Sequence, residues 1–365
     1  MRAIFAVLIL TSAALWADTF DELARKAERA RDANRLAEAM GLYEQALKLK
    51  PSWDEGWWYL GSIAYDTDQW ARCAAAFERL SALKPDLAAG WTMAGLCQYR
   101  LRQLDSALRS MQQAERLGFQ ENTELARQAK LHLALLLTKK GVFERAIVLL
   151  TELTRTDKKT PEIITVAGIA GLRRAWLPSE VPERERDKVL KLGDAMAAAM
   201  EQDNKAAIEK FDLAVAQYPA EANVRFRYGA FLRLNDLDRG IAEIKKAVEL
   251  EPTHVPALVG LAMIYIKNGE PAAARDFAQR AVKASPSDFA THIALGRALL
   301  DLDDAAGAAR ELEIAVKLAP DSPEAHFSLA SAYARLGRKA DSDRENAAFK
   351  RLKGADGTVP GAVRK

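Results

Sequence analysis

The stretch WWYLGSIAYDTDQWARCAAAFERLSALKP, residues 57–85, carries two apolar patterns of helical spacing with a turn signal between them. The first pattern places apolar or small residues at i, i+3, i+4 and i+7: Trp57, Leu60, Gly61 and Ala64. The second pattern follows the turn signal Asp66-Thr67-Asp68: Cys73, Phe77 and Leu80. Each pattern predicts one buried face of a helix, and Pro85 ends the second helix because proline cannot continue it. The stretch therefore predicts a pair of antiparallel helices.

The same pattern recurs along the chain at a constant period. Pro51 and Pro85 are 34 residues apart, and so are Pro252 and Pro286, and Pro286 and Pro320. The apolar and small positions recur ahead of these prolines, in one copy as Leu258, Leu261, Ala262, Tyr265 and Ala274, and in another as His292, Leu295, Gly296, Leu299 and Ala308. Several copies in register are a much stronger signal than one amphipathic helix.

This pattern resembles the tetratricopeptide repeat, a helix–turn–helix unit of about 34 residues with the signature W-x2-L-G-x2-Y…A-x3-F…P. The resemblance covers nearly all of the chain after its first 17 residues. It implies an all-α fold, a right-handed superhelical solenoid built from antiparallel helix pairs. We expect about nine such units, one of them degenerate.

The periodicity divides the chain into five segments. The N-terminal segment has the features of a signal peptide, two stretches have regular repeats, one stretch between them loses the period, and the end has neither period nor apolar pattern. These segments are a signal peptide at 1–17, an N-terminal repeat array at 18–157, a degenerate repeat with an inserted loop at 158–187, a C-terminal repeat array at 188–352, and a disordered tail at 353–365.

The first residues indicate export. Arg2 gives a short positive start, and residues 3–15 form an apolar run of the length found in signal peptides. Small residues follow, and Ala14 and Ala17 are the candidate cleavage points. We expect a protein of the periplasm, or a secreted one, that meets the membrane only on its export route. An uncleaved N-terminal anchor is the alternative.

Residues 158–187 interrupt the repeat. Thr160 is a candidate N-cap for a helix that would run to Ala175. Pro178 and Pro182 then exclude a helix interior, so a loop must lie between this helix and the next. The segment is interpreted as a connector between two arrays, with a hinge or a specialised surface as the alternative.

Composition and motifs argue against several classes of function. The formal net charge is +3 and charged residues are interspersed, which indicates neither a nucleic-acid surface nor a polybasic membrane patch. His292 and His326 are 34 residues apart, each at the position of Trp57 in its repeat, so we expect packing residues and no metal site. No metal, phosphate-binding or nucleophile motif is recognisable. We therefore predict that the protein is not an enzyme and uses no cofactor.

The chain has two cysteines, Cys73 and Cys97, in successive predicted helices. Successive helices of a solenoid pack together, so in an exported protein the two thiols could form a disulfide bond. The alternative is that both are small buried residues, because Cys73 occupies a position that alanine fills in other repeats.

The resemblance also implies a binding surface. In tetratricopeptide arrays the first helix of each repeat lines a concave wall that binds an extended peptide or a partner helix. The residues of this chain at the corresponding positions include aromatic and arginine side chains, which are enriched among binding hot spots. They are Trp58, Ser62, Tyr65, Asp66, Thr92, Leu96, Tyr99, Arg100, Phe226, Arg233, Met263, Lys267, Arg297, Phe327 and Arg335.

These observations predict a non-catalytic scaffold or adaptor of the bacterial cell envelope that holds a protein or peptide partner in its concave groove. One alternative is an accessory factor in envelope assembly, secretion or polysaccharide export. Another is a hydrolase, an enzyme accessory or a small-ligand site at residues 158–187. A carbohydrate-binding protein would instead gather Trp53, Trp58 and Trp176 around a cavity.

Overall fold

A computed structural model of the chain describes residues 19–119, 123–156 and 159–356. Every regular element in these ranges is helical. The chain divides after Asp157 into two compact units. The architecture is therefore the all-α solenoid of helix pairs that the sequence predicts, and the two units are taken in turn below.

Within the described residues, the first unit contains four helix pairs: α1 (Phe20–Asp32) with α2 (Leu36–Leu49), α3 (Asp54–Asp66) with α4 (Trp70–Leu83), α5 (Ala88–Arg100) with α6 (Leu104–Leu117), and α7 (Glu124–Lys139) with α8 (Phe143–Thr156). Three residues join the helices of each pair. The second of these residues has a positive φ angle in every pair: Asn34, Asp68, Arg102 and Gly141. Each helix packs chiefly against its neighbours along the chain.

Small residues let the two helices of a pair approach closely. A Cβ atom on Gly61 of α3 would lie 2.6 Å from Cε2 of Phe77 on α4, and Phe77 is fully buried. Trp57 ties α3 to the connection that precedes it, because its Nε1 donates a 2.9 Å hydrogen bond to the carbonyl oxygen of Pro51. The motif residues of the sequence are thus the contact residues of the pair.

The second unit begins with a helix that has no partner of the repeat type, and its remaining helices form pairs. In order they are α9 (Pro161–Gly171), a 3-10 turn (Pro178–Glu180), α10 (Glu183–Met200) with α11 (Asn204–Gln217), α12 (Ala222–Leu232) with α13 (Leu237–Leu250), α14 (Val255–Lys267) with α15 (Pro271–Ala284), α16 (Phe289–Asp301) with α17 (Ala305–Leu318), and α18 (Pro323–Arg335) with α19 (Lys339–Asp356).

The interrupted segment is an ordered part of this second unit. Thr160 caps α9, since its side chain accepts a hydrogen bond from the N–H of Ile163, as the sequence predicts. The helix ends at Gly171 and not at Ala175, because Arg173 adopts a left-handed backbone with φ 56°. The inserted loop is anchored in the core by Leu177, which is fully buried.

Helices α9 and α10 cross at an unusually short distance. A Cβ atom on Gly168 of α9 would lie 1.9 Å from the carbonyl oxygen of Val189, and one on Gly193 of α10 would lie 1.9 Å from that of Ile164. Both neighbours are backbone atoms, so no side chain can move aside. The two glycines therefore set the distance between α9 and α10.

The C-terminal boundary differs from the predicted one. Helix α19 extends to Asp356, so residues 353–356 belong to the last helix and not to a disordered tail. In the last turn, Nζ of Lys353 lies 5.5 Å from the centre of the Phe349 ring, a contact between residues four apart on a helix that the spacing of apolar residues does not reveal. The predicted signal peptide at 1–17, and the tail beyond residue 356, lie outside the described residues.

Candidate functional site

The predicted contact residues of the first unit lie on α3 and α5. Trp58, Tyr65 and Tyr99 are half-buried, and Arg100 is exposed. Trp58 meets the ring of Phe77 edge to face, with ring centres 5.5 Å apart, so one side of its indole is held by the core. Ser62, on the same helix, is also half-buried. These side chains are fixed on rigid helices while part of each stays accessible.

Aromatic and cationic side chains follow one another from pair to pair in this unit. The Tyr65 ring meets Trp70 edge to face at 5.4 Å, and the guanidinium of Arg100 lies 5.3 Å from the centre of the Trp70 ring. Tyr99 in turn contacts His132 of α7 at 4.9 Å. We call these five residues the aromatic series. Trp70 and His132 were missed by the sequence analysis, because both lie outside the repeat positions expected to face a groove.

The first two helix pairs also carry carboxylates at their surface. Glu55 and Asp66 on α3 are exposed, and no ion pair of either is found among the described residues. Glu28 on α1 is half-exposed. The nearby cation Arg31 is already engaged, since it stacks on Tyr59 at 3.9 Å and pairs with its neighbour Asp32 at 2.9 Å. This part of the unit is therefore both aromatic and acidic.

The structure corrects three predicted contact residues and one predicted ligand-binding tryptophan. Thr92 is 2% exposed, Leu96 is 3% exposed and Phe226 is 8% exposed, so none of them presents its side chain to a partner. The Phe226 ring is instead packed on His254, with ring centres 5.1 Å apart. Trp53 is a core residue between the rings of Phe20 and Tyr43, because the first pair covers it. It is therefore unavailable to a carbohydrate.

Apart from Phe226, the predicted contact residues of the second unit are exposed or half-buried, but they do not form a comparable series. Arg297 pairs with Glu324 at 3.0 Å, and Arg335 lies 3.5 Å from Asp303, so both arginines tie neighbouring helix pairs together. Arg233 is exposed at the end of α12. Phe327 is 52% exposed and its ring contacts Phe349 of α19 at 5.3 Å.

The charged side chains in and beside the interrupted segment form ion pairs with each other. Lys188 of α10 forms ion pairs with Glu221 at 3.0 Å and with Glu185 at 3.1 Å, and Arg174 lies 3.7 Å from Glu221. Burial alone would raise the pKa of Glu221, but the hydrogen bonds from Lys188 and Asn223 and the positive charges of Lys188 and Arg174 together outweigh it, and the pKa falls below its usual value. A carboxylate held ionised in this way stabilises the fold and is poorly suited to proton transfer.

The two cysteines meet between α4 and α5. Both are fully buried, their Cα atoms are 5.9 Å apart, and their sulfur atoms lie at bonding distance. This separation is within the range that a disulfide requires. The oxidised state itself stays a prediction, which the mass of the unreduced protein would check.

Two features are absent from the described ranges. No group of three or more histidine, cysteine, aspartate and glutamate side chains there could hold a metal ion. No helix there has both the length and the hydrophobicity needed to span a membrane.

Comparisons with known proteins match two stretches of the chain to repeat families. The family described as "Cilia and flagella-associated protein 70 middle TPR-like domain" matches residues 193–353, and the family described as "Tetratricopeptide repeat" matches residues 25–88. A search of curated proteins found no significant match.

Solved structures of MamA are similar to about half of the chain. "MamA RS-1 ArsTM double mutant" is 17% identical over 46% of this chain and 96% of that one, with a TM-score of 0.42. "MamA 41-end from Desulfovibrio magneticus RS-1" is 18% identical over 48% of this chain and 97% of that one, with a TM-score of 0.40. Similarities of this extent carry no functional information. The helix pairs, the repeat motifs and the two family matches agree, and the chain belongs to the tetratricopeptide-repeat proteins.

Proposed function

We propose that this protein is a non-catalytic scaffold of the bacterial cell envelope whose first unit binds an extended segment of a protein partner. The observation that carries the proposal is the aromatic series, in which Tyr65, Trp70 and Arg100 remain partly accessible across two helix pairs. Aromatic and arginine side chains contribute most of the binding free energy at many protein interfaces. The envelope location rests on the apolar residues 3–15 alone.

The carboxylates of the first two helix pairs favour a cationic segment. Glu28, Glu55 and Asp66 attract lysine and arginine side chains, and the accessible faces of Trp58 and Tyr65 can take a cation or an apolar side chain. A partner segment that alternates basic and apolar residues satisfies both features. Acidic segments are repelled by the same three carboxylates.

The test is a direct binding measurement with a matched control. The full chain and a Trp58→Ala, Tyr65→Ala, Tyr99→Ala variant are titrated with a fluorescent peptide of alternating lysine and leucine. A Leu49→Ala, Leu83→Ala variant serves as the control, because both leucines are exposed and lie outside the series. We expect the triple variant to lose at least about tenfold in affinity, the range of a hot-spot cluster, while the control binds like the wild type.

Two further measurements complete this test. Affinity should fall as salt is raised, because exposed charges are screened, and a glutamate–leucine peptide should not compete. Equal binding by the wild type and a folded triple variant, judged by circular dichroism, contradicts the proposed groove. Recovery of the protein only in the cytoplasmic fraction of cells contradicts the envelope location and leaves the groove untouched.

A further inference from the structure

Five helix pairs place a nitrogen donor at one equivalent position, where the side chain meets the carbonyl oxygen of the proline six residues earlier. Trp57 donates to Pro51 at 2.9 Å and Trp91 donates to Pro85 at 3.0 Å. The same position holds Arg225 in the α12–α13 pair, His292 in the α16–α17 pair and His326 in the α18–α19 pair. We call it the proline-facing position.

At the two histidines, the second ring nitrogen also faces an acceptor. Nε2 of His292 lies 2.9 Å from the carbonyl oxygen of Pro286, and its Nδ1 lies 2.7 Å from Oε2 of Glu311 on α17. His326 repeats the arrangement in the next pair. Its Nε2 lies 2.9 Å from the carbonyl oxygen of Pro320, and its Nδ1 lies 2.7 Å from Oε2 of Glu345 on α19.

A neutral imidazole has one N–H donor, whereas an imidazolium has two. The carbonyl oxygen can only accept, so Nε2 must carry a proton. The contact between Nδ1 and an ionised carboxylate is then a hydrogen bond only if one further proton is present, on the ring or on the glutamate. The rings of His292 and His326 are buried, and water cannot readily replace a lost partner.

We propose that His292 and His326 are protonated bridges. Each joins the connection before its helix pair to the second helix of that pair. The packing of α16–α19 therefore loosens as pH rises through the range in which histidine loses its proton. This inference concerns the second unit and is independent of the groove proposed above. The cation makes two hydrogen bonds and the neutral ring makes one, so the contribution to stability is present at lower pH and is lost on deprotonation.

The charged groups around the two bridges differ. Among the described contacts of the His292 ring, Glu311 from α17 is the one charged side chain. His326 faces Glu345 from α19, and Arg344 shares that carboxylate at 3.2 Å. Arg351 lines the same 480 Å³ surface pocket as His326, and the hydroxyl of Tyr333 also lies near Glu345. The two bridges therefore differ in the positive charge that surrounds the histidine ring.

The chain contains its own control for this bridge. Nε of Arg225 donates to the carbonyl oxygen of Pro219 at 2.8 Å, and its Nη1 donates to Oε2 of Glu243 at 2.8 Å. The same two acceptor types are therefore joined by a side chain that keeps its charge at every accessible pH. The α12–α13 pair should not respond to pH in the window where the histidine bridges do.

The test combines histidine ring NMR with amide hydrogen exchange on the full chain. At pH 7 we expect the ¹⁵N signals of His292 and His326 to show two protonated nitrogens each. From about pH 5.5 to about pH 8.5, a range that spans the ordinary loss of the histidine proton, exchange in α16–α19, corrected for the intrinsic rate, should accelerate at least about tenfold relative to α12–α13. This is the effect expected for a lost charge-assisted hydrogen bond.

Variants in both directions separate the bridge from general loosening. The double variant His292→Arg, His326→Arg should remove the pH response, and Arg225→His should create one in α12–α13. If the double arginine variant fails to fold, Glu311→Gln with Glu345→Gln serves instead, because the amide can donate to the neutral ring. Single-nitrogen protonation of both rings at pH 7, or an unchanged exchange ratio across the pH window in the wild type, overturns the proposal.

Discussion

His254 shows how one residue can make acid destabilise the second unit. It is the N-cap of α14, where its Nδ1 accepts from the N–H of Ala257 at 3.1 Å and its Nε2 lies 3.1 Å from Oδ1 of Asn223. This pattern requires the neutral ring. Burial, together with the nearby cations Arg173 and Arg227, lowers the pKa of His254 to about 4.

The lowered pKa predicts a loss of stability on acidification. The unfolded chain binds a proton at His254 below about pH 6.5 and the folded chain does not until about pH 4, so stability falls across this interval, by up to about 3 kcal/mol. His254→Asn keeps a capping acceptor but does not titrate. Its urea midpoint should therefore drop less than that of the wild type between pH 7 and pH 4.5. Identical drops would contradict this prediction.

For single residues, the sequence predicted the positions of buried side chains better than it predicted their hydrogen-bond partners. His292 and His326 were recognised as occupants of the Trp57 position because they share its register, and the structure confirms that they are packed there. Their glutamate partners lie 19 residues further along the chain. Many carboxylates share those helices, so sequence spacing alone could not select Glu311 and Glu345.

The crossing of α9 and α10 is the element whose geometry permits least change. Gly168→Ala would place its Cβ atom 1.9 Å from the carbonyl oxygen of Val189, so the two helices must separate. We expect the second unit to lose about 3 kcal/mol or more, the upper range for overpacking. Gly260→Ala in α14 is the matched control. Its Cβ atom would lie 3.8 Å from Phe226, and a helical Gly→Ala change should stabilise by about 0.5–1 kcal/mol.

Urea unfolding of the two glycine variants, followed by circular dichroism, measures the difference. A Gly168→Ala protein as stable as the wild type would show that α9 can move away from α10 at little cost. This crossing could not be predicted from the sequence. Gly168 lies in an apolar helix without the repeat motif, and Gly193 precedes a run of methionine and alanine, so neither marked a contact before the helices were placed.

At the scale of the whole molecule, the repeat period predicted the helix pairs and an array on each side of residues 158–187, and the structure divides the chain into two compact units after Asp157. Each pair repeats the same register of small and large side chains, so one good copy identifies the rest. Burial depends on which neighbour covers a residue, and that information is not local. The burial of Trp53 and Thr92 was therefore misjudged, although the helices α3 and α5 themselves were predicted.

The division predicts that the first unit folds by itself. Residues 18–157 contain four complete helix pairs, whereas a longer fragment ending at residue 187 would add α9 without most of its partner α10. We expect the 18–157 fragment to unfold cooperatively on heating. A reducing agent should lower its midpoint, because a bond between Cys73 and Cys97, which are 24 residues apart, restricts the conformations of the unfolded chain. A fragment without a cooperative transition would contradict this prediction.

Helices that pack chiefly against their neighbours along the chain also determine how the first unit responds to force. Pulling on its two ends loads the pairs in series, and each interface can open without disturbing pairs further away. Extension should therefore proceed in steps, each of which unfolds one helix pair. A closed bond between Cys73 and Cys97 would carry the force past the chain between these two residues, so residues 73–97 would not extend even after both hairpins had opened.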